Sequence, residues 1–133
     1  MSGDLRLGLD LVRTGTVRDA LVAHGRRYLE RVFTATEAAD SLAGGRPSPR
    51  LLAMRFAAKE ATLKVLQVDE EAVPWTDVEV ALTAAGPPTL VLRGRAAELA
   101  RRAGICSLSL ALHGARDQAA ALVVAEMRQA ADS

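Results

Sequence analysis

The stretch Arg50-Leu51-Leu52-Ala53-Met54-Arg55-Phe56-Ala57-Ala58-Lys59-Glu60-Ala61-Thr62-Leu63-Lys64-Val65-Leu66-Gln67-Val68 decides the fold. It holds no glycine or proline and is rich in alanine, leucine, glutamate and lysine, the residues that lose least on entering a helix. One long helix over residues 50–68 is predicted. Gly44-Gly45-Arg46-Pro47-Ser48-Pro49 in front of it is the clearest loop of the chain, and Pro74 marks the break behind it.

Working towards the N-terminus, residues 34–43 read as a short helix capped by Thr34 or Thr36. Glu37 stands in the Thr-x-x-Glu capping position after Thr34. Residues 17–32 read as helical with a break near Gly25, and Thr16 is the candidate N-cap. Val17, Leu21, Val22 and Leu29 form its apolar set, and Arg18, His24, Arg26, Arg27 and Arg31 its polar side. Leu5, Leu7, Leu9 and Leu11 alternate with Arg6, Gly8, Asp10 and Val12. That period of two predicts a strand with its leucine face in the core and Asp10 on the other face.

Towards the C-terminus, residues 77–82 alternate as a strand. Residues 85–88, Ala-Gly-Pro-Pro, form a tight turn, and residues 89–93 return as the second strand of a hairpin. An amphipathic helix over 94–103 ends at Gly104. Residues 107–113 and 119–125 read as strands joined by a turn at 114–117, and 126–133 as a frayed tail. Cys106 reads as a small core residue and Trp75 as a packing anchor. The expected architecture is α+β: a single domain over residues 1–133, with a mainly antiparallel sheet packed on the long central helix.

Composition narrows the function. The chain has 133 residues, is 50% hydrophobic and 25% charged, and has a formal net charge of +1. It is therefore neither disordered nor a dedicated duplex binder, and no nucleic-acid partner is expected. A lone cysteine makes no disulfide scaffold. Asp4, Arg6 and Asp10 interrupt the N-terminal apolar stretch, so it is no signal peptide. The apolar stretch around 103–115 is too short and polar to span a bilayer, so no membrane partner is expected either. A soluble cytoplasmic protein is the expectation. Lys59 and Lys64 are the only lysines against 15 arginines, and both fall in the central helix.

Three features point to chemistry, and each also has a plain structural reading. Asp10, beside Gly8 on a strand, has space around it for a ligand or metal, or is simply solvated. Glu60 and Lys64, four apart, share one helix face; as a surface pair they are worth roughly a few tenths of a kcal/mol. A compact, flexible ammonium suits phosphate, which makes Lys64 a candidate in an arginine-rich chain. Arg46, Arg50 and Arg55 flank the loop and helix start as candidate phosphate ligands. His113 shares a strand face with Ser109.

Together these residues resemble the holo-acyl-carrier-protein synthase type of 4′-phosphopantetheinyl transferase. Gly8-Leu9-Asp10-Leu11-Val12 matches the family's opening strand, and Phe33-Thr34-Ala35-Thr36-Glu37 its Phe-Thr-x-x-Glu segment. Residues 55–64, Arg-Phe-Ala-Ala-Lys-Glu-Ala-Thr-Leu-Lys, match its signature helix. Residues 75–80 match its Trp-x-Asp-Val-Glu-Val segment, and Gly86-Pro87-Pro88 its Gly-x-Pro turn. Where the family has Glu and Arg after the motif aspartate, this chain has Arg13 and Thr16, and one extra residue precedes His113.

The resemblance implies Mg²⁺-dependent transfer of phosphopantetheine from coenzyme A to a carrier-protein serine. It implies that Asp10 and Glu60 hold the metal, with Glu60 drawing the serine proton and Lys64 offsetting charge on the leaving phosphate. It further implies that Arg46, Arg50, Arg55, Gly86, Pro88, Ser109 and His113 contact coenzyme A. An acidic acyl carrier protein would dock on Arg18, Arg26, Arg27 and Arg31, and three copies would share active sites as a homotrimer. The alternative is a homologue that binds carrier or coenzyme A without efficient transfer.

Overall fold

A computed structural model describes residues 3–82 and 85–129; residues 1–2, 83–84 and 130–133, the last of these being part of the tail expected at 126–133, lie outside them. In chain order the elements are β1 (Leu5–Arg13), α1 (Thr14–His24), α2 (Arg26–Val32), α3 (Ala35–Asp40), β2 (Leu42–Ala43), β3 (Arg46–Pro47), α4 (Pro49–Leu66), a 3-10 turn (Trp75–Asp77), β4 (Val78–Ala81), β5 (Thr89–Leu92), α5 (Gly94–Ala103), β6 (Ile105–Gly114) and β7 (Gln118–Met127). Every strand pairing is antiparallel: β1-β7-β6 form one sheet, and β4-β5 and β2-β3 two hairpins. This is the predicted α+β architecture.

The central helix α4 starts where Pro49 presets the first turn and the Ser48 hydroxyl accepts from the Leu51 amide at 3.2 Å. It ends at Gln67, which takes the left-handed conformation (φ 60°). It packs against β7, β1, α1, β6 and β4. Its Leu52, Ala53, Ala57, Ala58 and Ala61 are all fully buried. A helix enclosed on so many sides is not amphipathic, and its small residues let neighbours come close.

That close approach overturns the predicted orientation of β1. The leucines face outward: Leu5, Leu7, Leu9 and Leu11 are 59–66% exposed, and Gly8, Asp10 and Val12 face the helix. The cause is Gly8. A Cβ there would overlap the Ala61 carbonyl of α4, so only a residue without a side chain fits at this contact. Alternation distinguishes two faces but not which is covered. The Arg6 guanidinium follows the inward face and donates to the Val65 carbonyl at 3.2 Å.

Three smaller expectations also change. Helix α1 begins at Thr14, not after a Thr16 cap. Arg13 occupies the cap position without a side-chain bond, and the Thr14 amide donates to the Asp117 carbonyl at 2.9 Å. The β6–β7 turn thus does the work of a capping side chain. Strand β7 stays paired through Met127 rather than fraying at Glu126. Cys106 is exposed, its thiol donating to the Glu126 carbonyl beside an irregularity in β6.

Helix α3 is also shorter than the expected 34–43: it stops at Asp40, and Leu42–Ala43 pair instead with Arg46–Pro47 across the expected loop. The remaining breaks and caps stand. Gly25 (φ 52°) divides α1 from α2, and Thr34 and Glu37 form a complete capping box. Helix α5 runs over the predicted residues. Its N-terminal cap comes from elsewhere in the chain: Asp77 accepts from the amides of Arg95 at 2.9 Å and Ala96 at 3.4 Å.

Candidate active site

The close contact of β1 with α4 brings Asp10 to Glu60 and Lys64. The Lys64 ammonium donates to Asp10 Oδ1 and to the Leu9 carbonyl, each at 2.8 Å. The Asp10 side chain is only 10% exposed, and its Oδ2 is buried with no hydrogen-bond partner. Burial pushes the Glu60 carboxyl up to about 7, helped by the neighbouring Asp10 carboxylate and by the charge of Glu70; Lys64 works against the rise. Two carboxylates thus lean on one cation and remain short of positive charge.

An open cleft of about 520 Å³ spreads from this point, lined by Glu60, Lys64, Asp69, Glu70, Glu71 and Trp75. Tyr28 of α2 lies close enough to feel Glu60. Its hydroxyl is pushed up to about 12, chiefly by burial and then by the Glu60 charge.

Lys59, next to Glu60 in sequence, has a different setting. It is fully buried, as is its partner Glu37 at 2.7 Å. Glu37 Oε1 also accepts from the Thr34 amide, and Oε2 from the Val80 amide at 2.8 Å. The Thr34 hydroxyl donates to Glu79 at 2.6 Å, and Arg93 donates to Glu79 at 3.0 Å. Glu79 is consequently held below the usual carboxylate range, first by the Thr34 bond. Removing one member of a buried pair typically costs about 3–5 kcal/mol, because the other charge is left alone. Sequence showed Glu37 as a capping residue and as the end of the Phe-Thr-x-x-Glu segment; its ion pair spans 22 positions, and nothing local announces it.

The remaining candidates lie elsewhere. Arg46 and Arg50 are exposed around the start of α4. Ten residues of helix put Arg50 about 15 Å from Glu60 along the axis. Arg55 is only 1% exposed, with one guanidinium nitrogen 3.4 Å from the Leu51 carbonyl and Nε unpartnered. Gly86 is exposed and Pro88 half-buried, both ahead of β5. Ser109 and His113 are exposed on the outward face of the sheet. There His113 pairs with Ala120, which pairs with Leu11. One chain therefore unites Asp10, Glu60 and Lys64, and sets His113 on the opposite side of the sheet from them. Arg18, Arg26, Arg27 and Arg31 are all exposed on α1 and α2.

An antiparallel sheet wrapped on a buried helix, with a carboxylate pair and an ammonium at an open, largely acidic cleft, defines the α+β class to which the chain belongs. Residues 6–123 match the model of the 4′-phosphopantetheinyl transferase superfamily. The holo-[acyl-carrier-protein] synthase of Rhodopirellula baltica is 39% identical over 118 residues, covering 89% of this chain and 94% of that protein. The Chloroflexus aurantiacus protein of the same name is 41% identical over 130 residues, covering 89% and 95%. Among solved structures, the Chronobacterium ammoniagenes ACPS-CoA complex matches with a TM-score of 0.81 at 27% identity, over 95% of this chain and 99% of that one. The holo-[acyl-carrier-protein] synthase of Neisseria meningitidis matches with a TM-score of 0.79 at 28% identity, over 95% and 99%. The chain belongs to the 4′-phosphopantetheinyl transferase superfamily.

The raised Glu60 carboxyl makes a stability prediction. Its ordinary value is 4.5 and its folded value about 7, so between them the folded chain holds a proton that the unfolded chain has lost. Stability of the cation-free protein then falls as pH rises through that window. Glu60→Gln should raise the Tm in chelator at about pH 8 and leave it nearly unchanged at about pH 4. Equal shifts at both pH values would contradict the placement.

Proposed function

We infer that the chain is a holo-acyl-carrier-protein synthase. It transfers 4′-phosphopantetheine from coenzyme A to a serine of an apo acyl carrier protein and releases adenosine 3′,5′-bisphosphate. The observation that carries this reading is the Asp10–Glu60 carboxylate pair with Lys64, standing at the family's motif positions on the family's fold. Residues 1–133 are read as one transferase domain, working in the cytoplasm.

The carboxylate pair fits Mg²⁺. Asp10 Oδ2 is buried without a partner, and Glu60 resists ionisation beside it. Mg²⁺ is commonly held by one or two carboxylates, with waters and substrate phosphates completing the shell. Bound there, the ion would neutralise pyrophosphate charge and align the phosphoryl group.

The chain's own groups do the rest. Glu60 is the group read as taking the serine proton as the oxygen attacks. Lys64 is placed to donate to the leaving phosphate. Arg46 and Arg50 are open to the 3′-phosphate of coenzyme A, with Arg55 as buried charge behind them. Gly86, Pro88, Ser109 and His113 complete the coenzyme A contacts from a neighbouring subunit. The acidic carrier meets Arg18, Arg26, Arg27 and Arg31, and the opposite charges speed and orient docking.

A homotrimer explains two observations together. Leu5, Leu7, Leu9, Leu11 and Leu122 are exposed on one sheet face, an apolar patch that soluble monomers rarely leave open. His113 and Ser109 lie on that same face, away from their own chain's Glu60.

Incubation with coenzyme A, Mg²⁺ and a panel of apo carriers should add one phosphopantetheine to a carrier by mass spectrometry. Asp10→Ala and Glu60→Ala should abolish the gain in folded protein, a loss of about a hundredfold or more. No gain on any acyl, polyketide or peptide carrier sinks the reading. By light scattering the protein should have the mass of three chains, and Leu7→Glu should yield single chains without activity. A wild type that is active as a single chain refutes the trimer.

A further inference from the structure

Resting on the transferase reading above, we propose that Lys59 is a positioning residue for the reaction. Its buried ammonium pins the turn that carries Trp75, and so holds the Trp75 ring as the wall of the Glu60 cleft against which coenzyme A lies.

The bonding around Nζ supports this. An ammonium has three N–H donors. Here three acceptors converge on them: Glu37 Oε1 at 2.7 Å, the Trp75 carbonyl at 3.1 Å and the Val78 carbonyl. The last two carbonyls bracket the 3-10 turn, so one side chain of α4 grips both its ends. The Phe33 ring closes the remaining side, 5.7 Å from Nζ. Glu37 is itself immobilised by the capping box and by the Val80 amide. Convergence on a single nitrogen also explains why this arginine-rich chain keeps a lysine here. A guanidinium spreads its donors over a planar fork and cannot direct three of them from one atom.

The consequence reaches the cleft through Trp75. Its ring is half-buried, tilted against Phe56 at 5.0 Å, and lines both the Glu60 cleft and the adjoining one with Arg31. Between the end of α4 and this turn the chain runs through exposed Asp69, Glu70, Glu71 and Ala72. Lys59 therefore anchors the far end of an exposed segment that forms the cleft's rim. Lys59 does not itself line the cleft. Its loss should weaken coenzyme A binding more than the chemical step.

The test uses the full chain with coenzyme A, Mg²⁺ and apo carrier. Lys59→Met is combined with Glu37→Gln so that no buried charge stands alone. In the folded double variant, KM for coenzyme A should rise about tenfold while kcat stays within about threefold. Emission from Trp75, the sole tryptophan, should shift to the red and lose its response to coenzyme A. A folded variant with wild-type KM and wild-type emission overturns the proposal. Should the double variant not fold, Trp75→Leu tests the wall directly: a similar rise in KM supports it, and an unchanged KM overturns it. A wild type that modifies no carrier removes the transferase reading instead. Coenzyme A titration of Trp75 emission then still decides this inference: a response lost in the variant supports it, and no response, or the same response in both, overturns it.

Discussion

The structure depends on how α4 can be buried while carrying charge. Lys59 is the extreme case: an ammonium with no exposure, in the middle of the core helix. Burial alone pulls it towards neutrality, and Glu37 opposes that pull. The solution draws in three other parts of the chain. Helix α3 supplies the carboxylate, the 3-10 turn and β4 supply carbonyls, and β4 donates back through the Val80 amide. A well-packed apolar pair often matches a buried ion pair in stability. What this pair adds is geometry: its two charges together bond the Thr34 and Val80 amides and the Trp75 and Val78 carbonyls.

A second constraint works at the other side of the same helix. Gly8 lets the β1 backbone reach the Ala61 carbonyl, and that contact fixes the depth of Asp10. Asp10 then meets Lys64 at 2.8 Å beside Glu60, whose carboxyl is pushed up chiefly by burial. The two constraints bracket Glu60: Lys59 anchors the segment that walls its cleft, and Gly8 delivers its carboxylate neighbour. The charge gathered at this corner is set by the backbone contact, in a chain whose formal net charge is only +1. Inverting β1 to serve this contact pushes four leucines outward, so the site's geometry and the apolar outer face have one cause.

Much of this was legible beforehand. The long helix declared itself through composition and its Gly/Pro borders, and α5 through its amphipathic spacing and the glycine that ends it. The Thr34–Glu37 box was readable because both partners are local. Asp10, Glu60 and Lys64 were readable through motif and spacing. What sequence hid was long-range. The buried face of β1 depends on a partner 53 residues away, the start of α1 on a carbonyl at Asp117, and the role of Lys59 on Glu37 and Trp75. Cys106 misled because its small apolar character says nothing about an irregular strand edge. Ser109 and His113 could be set on one strand face but not placed relative to Glu60, since the sheet that separates them exists only after folding.

In the proposed reaction Asp10 and Glu60 would hold a divalent cation against the coenzyme A pyrophosphate. Substituting Mn²⁺ and recording the phosphorus resonances of bound coenzyme A tests it most directly, because a paramagnetic ion broadens only nearby nuclei. The account predicts strong broadening of the pyrophosphate signals with the wild-type protein, and its loss in folded Asp10→Asn and Glu60→Gln variants that still bind coenzyme A. Pyrophosphate signals that stay sharp in the wild type, or broaden equally in both variants, would contradict it.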